Sequence, residues 1–205
     1  MYRTLIITLA LLVTSMTANA AGLTAEQVLD KTVNTLDKAG AVEMSMTIRN
    51  GAESVHADLQ IVKDRFRYSA GTIDVLYDGV TQWTIDNDAK EVSLTSPTSD
   101  ELAETNPLAF VRSYRTKYKV SMVSESGGTY TVRMDALKKS SYVRSAQVVI
   151  SSTTWLPTHV TASLASGQTL TISILSADVQ KTANASGSFT FDKKNFPGYE
   201  IFDLR

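Results

Sequence analysis

Residues 42–61 read VEMSMTIRNGAESVHADLQI. Val42, Met44, Met46 and Ile48 alternate with Glu43, Ser45, Thr47 and Arg49. After Asn50-Gly51, Val55, Ala57, Leu59 and Ile61 alternate with His56, Asp58 and Gln60. A period of two gathers the apolar side chains of a strand on one face. Asn50-Gly51 is a hairpin signal, because both central residues of a type I′ turn need positive φ. The stretch predicts two antiparallel strands, each with one wet and one dry face.

The pattern continues downstream. Lys63-Asp64 turns the chain, and Phe66 and Tyr68 alternate with Arg65 and Arg67. Ile73, Val75 and Tyr77 lead into Asp78-Gly79, a second hairpin signal, followed by Thr81, Trp83 and Ile85. Asn87-Asp88 is a polar turn before Val92 and Leu94. Asp86-Asn87-Asp88 resembles the start of a calcium loop but lacks its glycine and distal glutamate, so it reads as a hairpin turn.

Pro97 then interrupts the meander. Thr98 with Glu101 fits a capping box ahead of Leu102 and Ala103, and Asn106-Pro107 starts a second short helix anchored by Leu108, Phe110, Val111 and Tyr114. Residues of about 98–114 are thus a helical insert. Alternation resumes at Tyr118, Val120 and Met122, turns at Gly127-Gly128, and returns through Tyr130, Val132 and Met134. Tyr142 to Ile150, Thr158 to Leu164, and Leu170 to Ile174 are further strands, giving ten or eleven in all. Phe189 and Phe191 lie in a short tail that ends in the apolar stretch Tyr199 to Leu204.

Upstream of residue 42, Thr24 and Gln27 form a capping box, and Val28, Leu29, Thr32, Val33 and Leu36 recur at helical spacing. Gly40 suits the left-handed position that ends such a helix. Before it, Arg3, the apolar run Leu5–Val13 and Ala18-Asn19-Ala20 have the three parts of a cleaved secretory leader, residues 1–20. The run is too short to span a bilayer, which needs about 20 residues. Residues 21–205 then make a single domain, soluble, monomeric and periplasmic.

Composition excludes several classes of function. The net charge is −1, which speaks against nucleic acid. There is no cysteine, so the usual structural zinc site is unavailable, and the two histidines, His56 and His159, lack partners at metal-ligand spacing. Nucleophile elbow, P-loop and dinucleotide fingerprint are all missing from the sequence. The Asn184-Ala185-Ser186 sequon carries no weight for a bacterial-type exported chain. The expectation is a protein without catalytic residues, metal or cofactor.

A meander of this length curls toward a barrel or half-barrel. The expected class is mainly β with helices (α+β): a strongly curved antiparallel sheet forming an incomplete barrel, covered by the N-terminal helix and a short helical lid. Two small helical pieces cover little of such a sheet, which leaves apolar space for a lipophilic guest. Candidate lining residues are Met44, Met46, Ile48, Leu59, Phe66, Trp83, Leu94, Leu108, Phe110, Val120, Met122, Val132 and Met134. Methionine suits irregular apolar guests because it is unbranched and polarizable.

The order of these pieces resembles the LolA-like periplasmic carriers of outer-membrane lipoproteins. Asp78-Gly79-Val80-Thr81-Gln82-Trp83 is similar to the family's D-G-x-T-x-W, and Asn106-Pro107-Leu108-Ala109-Phe110 sits where the family has its lid. Ser188-Phe189-Thr190-Phe191-Asp192 resembles its F-x-F strand, and Glu200 to Arg205 resembles the ending of divergent, Bacteroidetes-type members. The resemblance implies a LolA/LolB-like open barrel that carries lipoprotein acyl chains, or another lipid, toward the outer membrane. It also implies an inner-membrane export transporter and an outer-membrane acceptor as partners. Family members carry an arginine on an early strand that bonds the lid. Matching Val62-Lys63 puts Asp64 at that position, and leaves neighbouring Arg65 as the lid-lock candidate. One residue along a strand, however, points to the other face. The alternative function is a lipid- or lipoprotein-sensing regulatory module of the envelope. An envelope hydrolase would need a convergent nucleophile and base, which the sequence does not offer.

Overall fold

The computed structural model describes residues 22–99, 101–102, 107–182 and 188–205. The leader, Asp100, Ala103, Asn106 and the 184–186 triplet fall outside the described residues, as does the side chain of Leu108.

The alternating stretch forms β1 (Ala41–Asn50) and β2 (Glu53–Val62), with Val42 opposite Ile61 and Asn50 opposite Glu53. The turn sits one residue later than expected. Gly51 and Ala52 are its central pair, and only Gly51 has positive φ, at 60°. This is the glycine-first pattern of a two-residue loop rather than the Asn-Gly pattern. The chain then meanders through β3 (Arg65–Ala70), β4 (Ile73–Tyr77), β5 (Gln82–Asp86) and β6 (Glu91–Thr95). At the Asp78-Gly79 turn the Asp78 carboxylate accepts from the Val80 and Thr81 amides at 2.9 and 2.8 Å. Asp86 does the same for Asp88 and Ala89 at 3.0 and 2.9 Å, so this segment is a hairpin turn.

Helix α1 (Ala25–Asp37) opens with the expected box: the Thr24 hydroxyl accepts from the Gln27 amide, and the Gln27 side chain accepts from the Thr24 amide. It stops at Asp37 with Lys38 as cap. Gly40 is not left-handed; its amide donates to the Gln180 carbonyl at 2.7 Å and leads the chain into the sheet. In the insert, Thr98 and Glu101 bond reciprocally. The expected helix over Leu108–Tyr114 is divided at Ser113 into α2 (Pro107–Arg112) and α3 (Tyr114–Lys117).

After α3 come β7 (Tyr118–Ser126), β8 (Thr129–Ala136), β9 (Val143–Ser151), β10 (Pro157–Leu164) and β11 (Thr169–Gln180). The last strand, β12 (Glu200–Asp203), lies parallel to β6 and brings the number to twelve among the described residues. The order is β12-β6-β5-β4-β3-β2-β1-β11-β10-β9-β8-β7, a curled sheet whose two edges do not close. The F-x-F segment is not a strand; Phe189 and Phe191 instead pack onto the outer face of the sheet.

The insert carries the chain from β6, near one end of the sheet, to β7 at the other. The inner face therefore receives both α1 and α2. Val28 and Leu29 of α1 pack with Val132, Met134, Val148 and Ile150. Leu36 packs with Met44, Met46, Leu59 and Phe66. The dry face changes sides at β4, where Val75, Leu76 and Tyr77 are all buried. Val75 and Tyr77 join the inner core, whereas Leu76 joins Ile85 and Val92 on the outer face, beneath Phe191, Phe196, Tyr199 and Ile201.

Phe66 has no exposed surface and its ring lies 5.4 Å from that of Tyr77. Phe66→Ala is expected to lower the unfolding free energy by about 3–5 kcal/mol. A lower denaturation midpoint with an unchanged denaturant slope would register it.

Candidate functional site

Cross-strand register builds the inner wall as continuous rows. Met44 faces Leu59, which faces Tyr68, which faces Val75. Ile48 lies between Val55 and Ile172, and Ile172 faces Val160. Met44, Met46, Leu59 and Phe66 are buried in this wall, and Ile48 is half-buried. On the other arm Val132 and Met134 are fully buried, with Val120, Met122 and Phe110 half-buried against them. The Phe110 ring meets Tyr118 edge-on at 5.3 Å. Ten of the twelve candidates whose side chains are described thus belong to the inner core.

Trp83 and Leu94 are placed elsewhere. They pair with each other and with Leu76 on the outer face, under the C-terminal tail. Gln82, Thr84, Ser93 and Thr95 take the inner positions instead. The wall is therefore apolar from β4 across to β7 and polar at β5 and β6. Sequence reasoning also passed over Tyr68, Ile73, Ile172 and Ile174, which are half-buried against the same core and extend the apolar wall. Their alternation was visible, but only the β1–β11 pairing sets Ile172 and Ile174 opposite Ile48 and Met46.

Arg65 points away from the helix-facing side, as its partner Val62 does. It is exposed on the outer face, with its guanidinium 5.1 Å from the Phe189 ring centroid. The insert is tied to α1 by other groups. Arg112 bonds Asp37 through Nε and Nη2, at 2.8 and 2.6 Å. Arg115 Nη2 bonds both oxygens of Asp30 at 2.6 and 2.5 Å, and the Tyr114 hydroxyl donates to the same carboxylate at 2.6 Å. Asp64, which the resemblance sets at the family's arginine position, lines the same recess as Asp37 and Arg112. A signal for this latch exists in the sequence: Asp30 and Asp37 are two helical turns apart on one face of α1, and Arg112 and Arg115 are three apart.

The Tyr114 hydroxyl, together with Arg115, holds the Asp30 carboxyl below its ordinary range. Burial, then Asp30 itself, pushes the Tyr114 phenol up, so it stays a donor. A carboxylate whose pKa is depressed by folding contributes stability above its unfolded value, about 4, and loses it as pH falls through the folded value.

The outer face brings Ser45, His56 and Asp58 together. His56 Nε2 lies 3.2 Å from Ser45 Oγ and 3.5 Å from Asp58 Oδ1. A nucleophilic triad needs serine and carboxylate on opposite ring nitrogens, so sharing one nitrogen is not that arrangement. Among the described residues, no three His, Asp or Glu side chains gather as a metal site, and no helix is long and apolar enough to cross a membrane.

Asp30→Asn should loosen the insert. Amide exchange over 107–117, corrected for intrinsic rate, is expected to be faster than wild type at neutral pH. Wild-type protection should fall toward that of the variant as pH drops below about 4.

Residues 15–168 match the family model described as outer membrane lipoprotein carrier protein LolA. No curated protein matches the sequence. Among solved structures, an uncharacterized conserved protein from Thermus thermophilus superposes with a TM-score of 0.58 at 8% identity, over 87% of this chain and 98% of that one. A LolA superfamily protein from Nitrosomonas europaea gives 0.40 at 9% identity, over 85% of this chain and 98% of that one. The MucA/MucB complex of Pseudomonas aeruginosa gives 0.46 at 10%, over 83% and 62%. The first of these likenesses extends to the fold alone, whereas the family match takes in most of the chain, through β10: this protein is a member of the LolA family of outer membrane lipoprotein carrier proteins.

Proposed function

We propose that the protein is a periplasmic carrier or chaperone that holds the acyl chains of lipoproteins, or of another lipid, against the inner wall of the open sheet. One observation carries this reading: the half-buried Ile48, Tyr68, Ile73, Ile172 and Ile174 lie in the same cross-strand rows as the buried core and pack against it. Apolar side chains left partly wet beside a core are suited to taking up an apolar guest. Each methylene transferred out of water contributes about 0.8 kcal/mol, so a long acyl chain needs only part of such a wall. The polar positions Gln82, Thr84, Ser93 and Thr95 give the same enclosure a side on which ester or amide groups find hydrogen-bond partners. The helical insert, tied to α1 through exposed carboxylate–arginine pairs, is the movable cover. Pairs of that kind contribute little individually, which allows opening.

In this reading residues 1–20 direct export and are removed, residues 21–205 are the working domain, and residues 98–114 are the lid. Cargo arrives from an inner-membrane export transporter and leaves to an outer-membrane acceptor. No chemical step is needed, so the protein is not an enzyme.

Displacement of an environment-sensitive fatty-acid probe by a diacylated or triacylated lipopeptide tests the proposal. Ile172→Asp, which charges the half-buried wall, is expected to weaken probe binding at least about tenfold, whereas Thr171→Asp, on the outer face, leaves it unchanged. Wild-type protein that takes up neither probe nor lipopeptide at micromolar concentration would remove the carrier function.

A further inference from the structure

Strand β5 puts Gln82 on the inner face, between Tyr77 of β4 and Thr95 of β6. Its cross-strand row reads Val42, Ile61, Phe66, Tyr77, Gln82, Thr95. The first four side chains are buried. Gln82 therefore stands where the wall turns from apolar to polar. Its Oε1 atom is cut off from solvent, and among the described residues nothing donates to it. Thr84, Ser93 and Thr95, the other polar members of this wall, are half-buried.

A carbonyl oxygen in that position has given up water without gaining a donor, which is destabilising. Most buried side-chain polar atoms are paired, so an orphan of this kind calls for a reason. The pleat supplies none, because an apolar residue at position 82 would simply continue the row. On a wall that receives a guest, the orphan is an acceptor left for a donor that the guest brings.

The chemistry of acylated molecules narrows the donor. A guest with its methylenes on the apolar strands brings its linking group to the step between β4 and β5. An ester linkage offers acceptor oxygens only, and these face Oε1 with like partial charge. An amide linkage carries an N–H beside the same carbonyl and satisfies Oε1 directly. A site built to pair a donor discriminates against the analogue that lacks it, because its own polar group then stays unpaired.

We propose that Gln82 is a specificity residue for the linkage of the acyl chain: Oε1 accepts from the N–H of an amide-linked chain, so the inner wall prefers N-acylated guests to ester-linked ones. This inference rests on the carrier reading and names the class of guest within it.

Two matched ligands test it, each displacing a fluorescent fatty-acid probe from the full-length mature protein. One is a short peptide carrying palmitate on an N-terminal amide. The other is the same molecule with that N–H replaced by oxygen. The wild type should bind the amide about fivefold more tightly than the ester. Gln82→Met, similar in size and without the acceptor, should bring the ratio to about one by weakening the amide alone. Binding of the fatty-acid probe itself should not change in the variant. Because Gln82→Met removes an unpaired acceptor, its denaturation midpoint should equal or exceed that of the wild type. Equal binding of amide and ester by the wild type overturns the proposal, as does a preference that survives in Gln82→Met or a lowered midpoint in that variant. Monopalmitoylglycerol, an ester with free hydroxyls, should bind like the ester; binding as tight as the amide, lost in Gln82→Met, overturns the assignment to an amide. These outcomes leave acyl carriage standing. Failure of the wild type to bind the probe or either ligand removes carriage, and this inference with it.

Discussion

The backbone ladder between β1 and β11 holds this molecule together. It runs from Ala41 opposite Gln180 to Asn50 opposite Leu170, and among the described strands no other pairing joins the arm β2–β6 with β12 to the arm β7–β10. Without it the chain would be two meanders, each with a long unpaired edge and an uncovered apolar face, the condition that leads strands to aggregate. With it, Ile48 comes beside Ile172 and Met46 beside Ile174, so the dry faces of both arms fuse into a single wall. A register shift between Ser45 and Met46 breaks the regular ladder there; such irregularities increase local twist and bend a strand, as an open barrel needs.

Because the edges stay apart, the inner wall needs a cover, and the connection from β6 to β7 supplies it. That connection crosses from one end of the sheet to the other, so its helices have to lie over the inside. Its attachment is mixed. Phe110 and Tyr114 pack onto the core, whereas Arg112 and Arg115 reach carboxylates on α1 near the surface. A cover joined by a few apolar anchors and exposed ion pairs is easier to lift than one buried throughout, since screened pairs contribute little. Arg65 sits on the outer face, and the insert is held instead by its own arginines on carboxylates of α1.

The change of dry face at β4 has a second consequence. Leu76, Trp83, Ile85, Val92 and Leu94 form an outer core of their own, closed by the C-terminal tail through Phe191, Phe196, Tyr199 and Ile201. The tail is thus a structural cover for the outside of β4–β6, and β12 lengthens the sheet by pairing with β6. The inner side of β5 and β6 is free to be polar, and the enclosure gains one hydrophilic wall.

Local physics was readable from the residues. Alternation at 42–61, the Thr24/Gln27 and Thr98/Glu101 boxes, and the Asp78 and Asp86 turns each depend on partners within a few positions, so the strands, the helix starts and most hairpins followed from the sequence. An open β-barrel with a helical insert followed as well, because so many half-wet strands have few other ways to bury their dry sides. Three features depended on residues far apart in the chain. Strand β4 is apolar on both faces, so period two could not say on which side Trp83 and Leu94 belong; the tail's docking decides. Arg65 sits one position from the residue that faces inward, and register alone sends it to Phe189. Asp30 and Arg115 are brought together only when the chain between them has completed half of the sheet, and contacts across such separations arise from the packing of the whole fold rather than from any local preference.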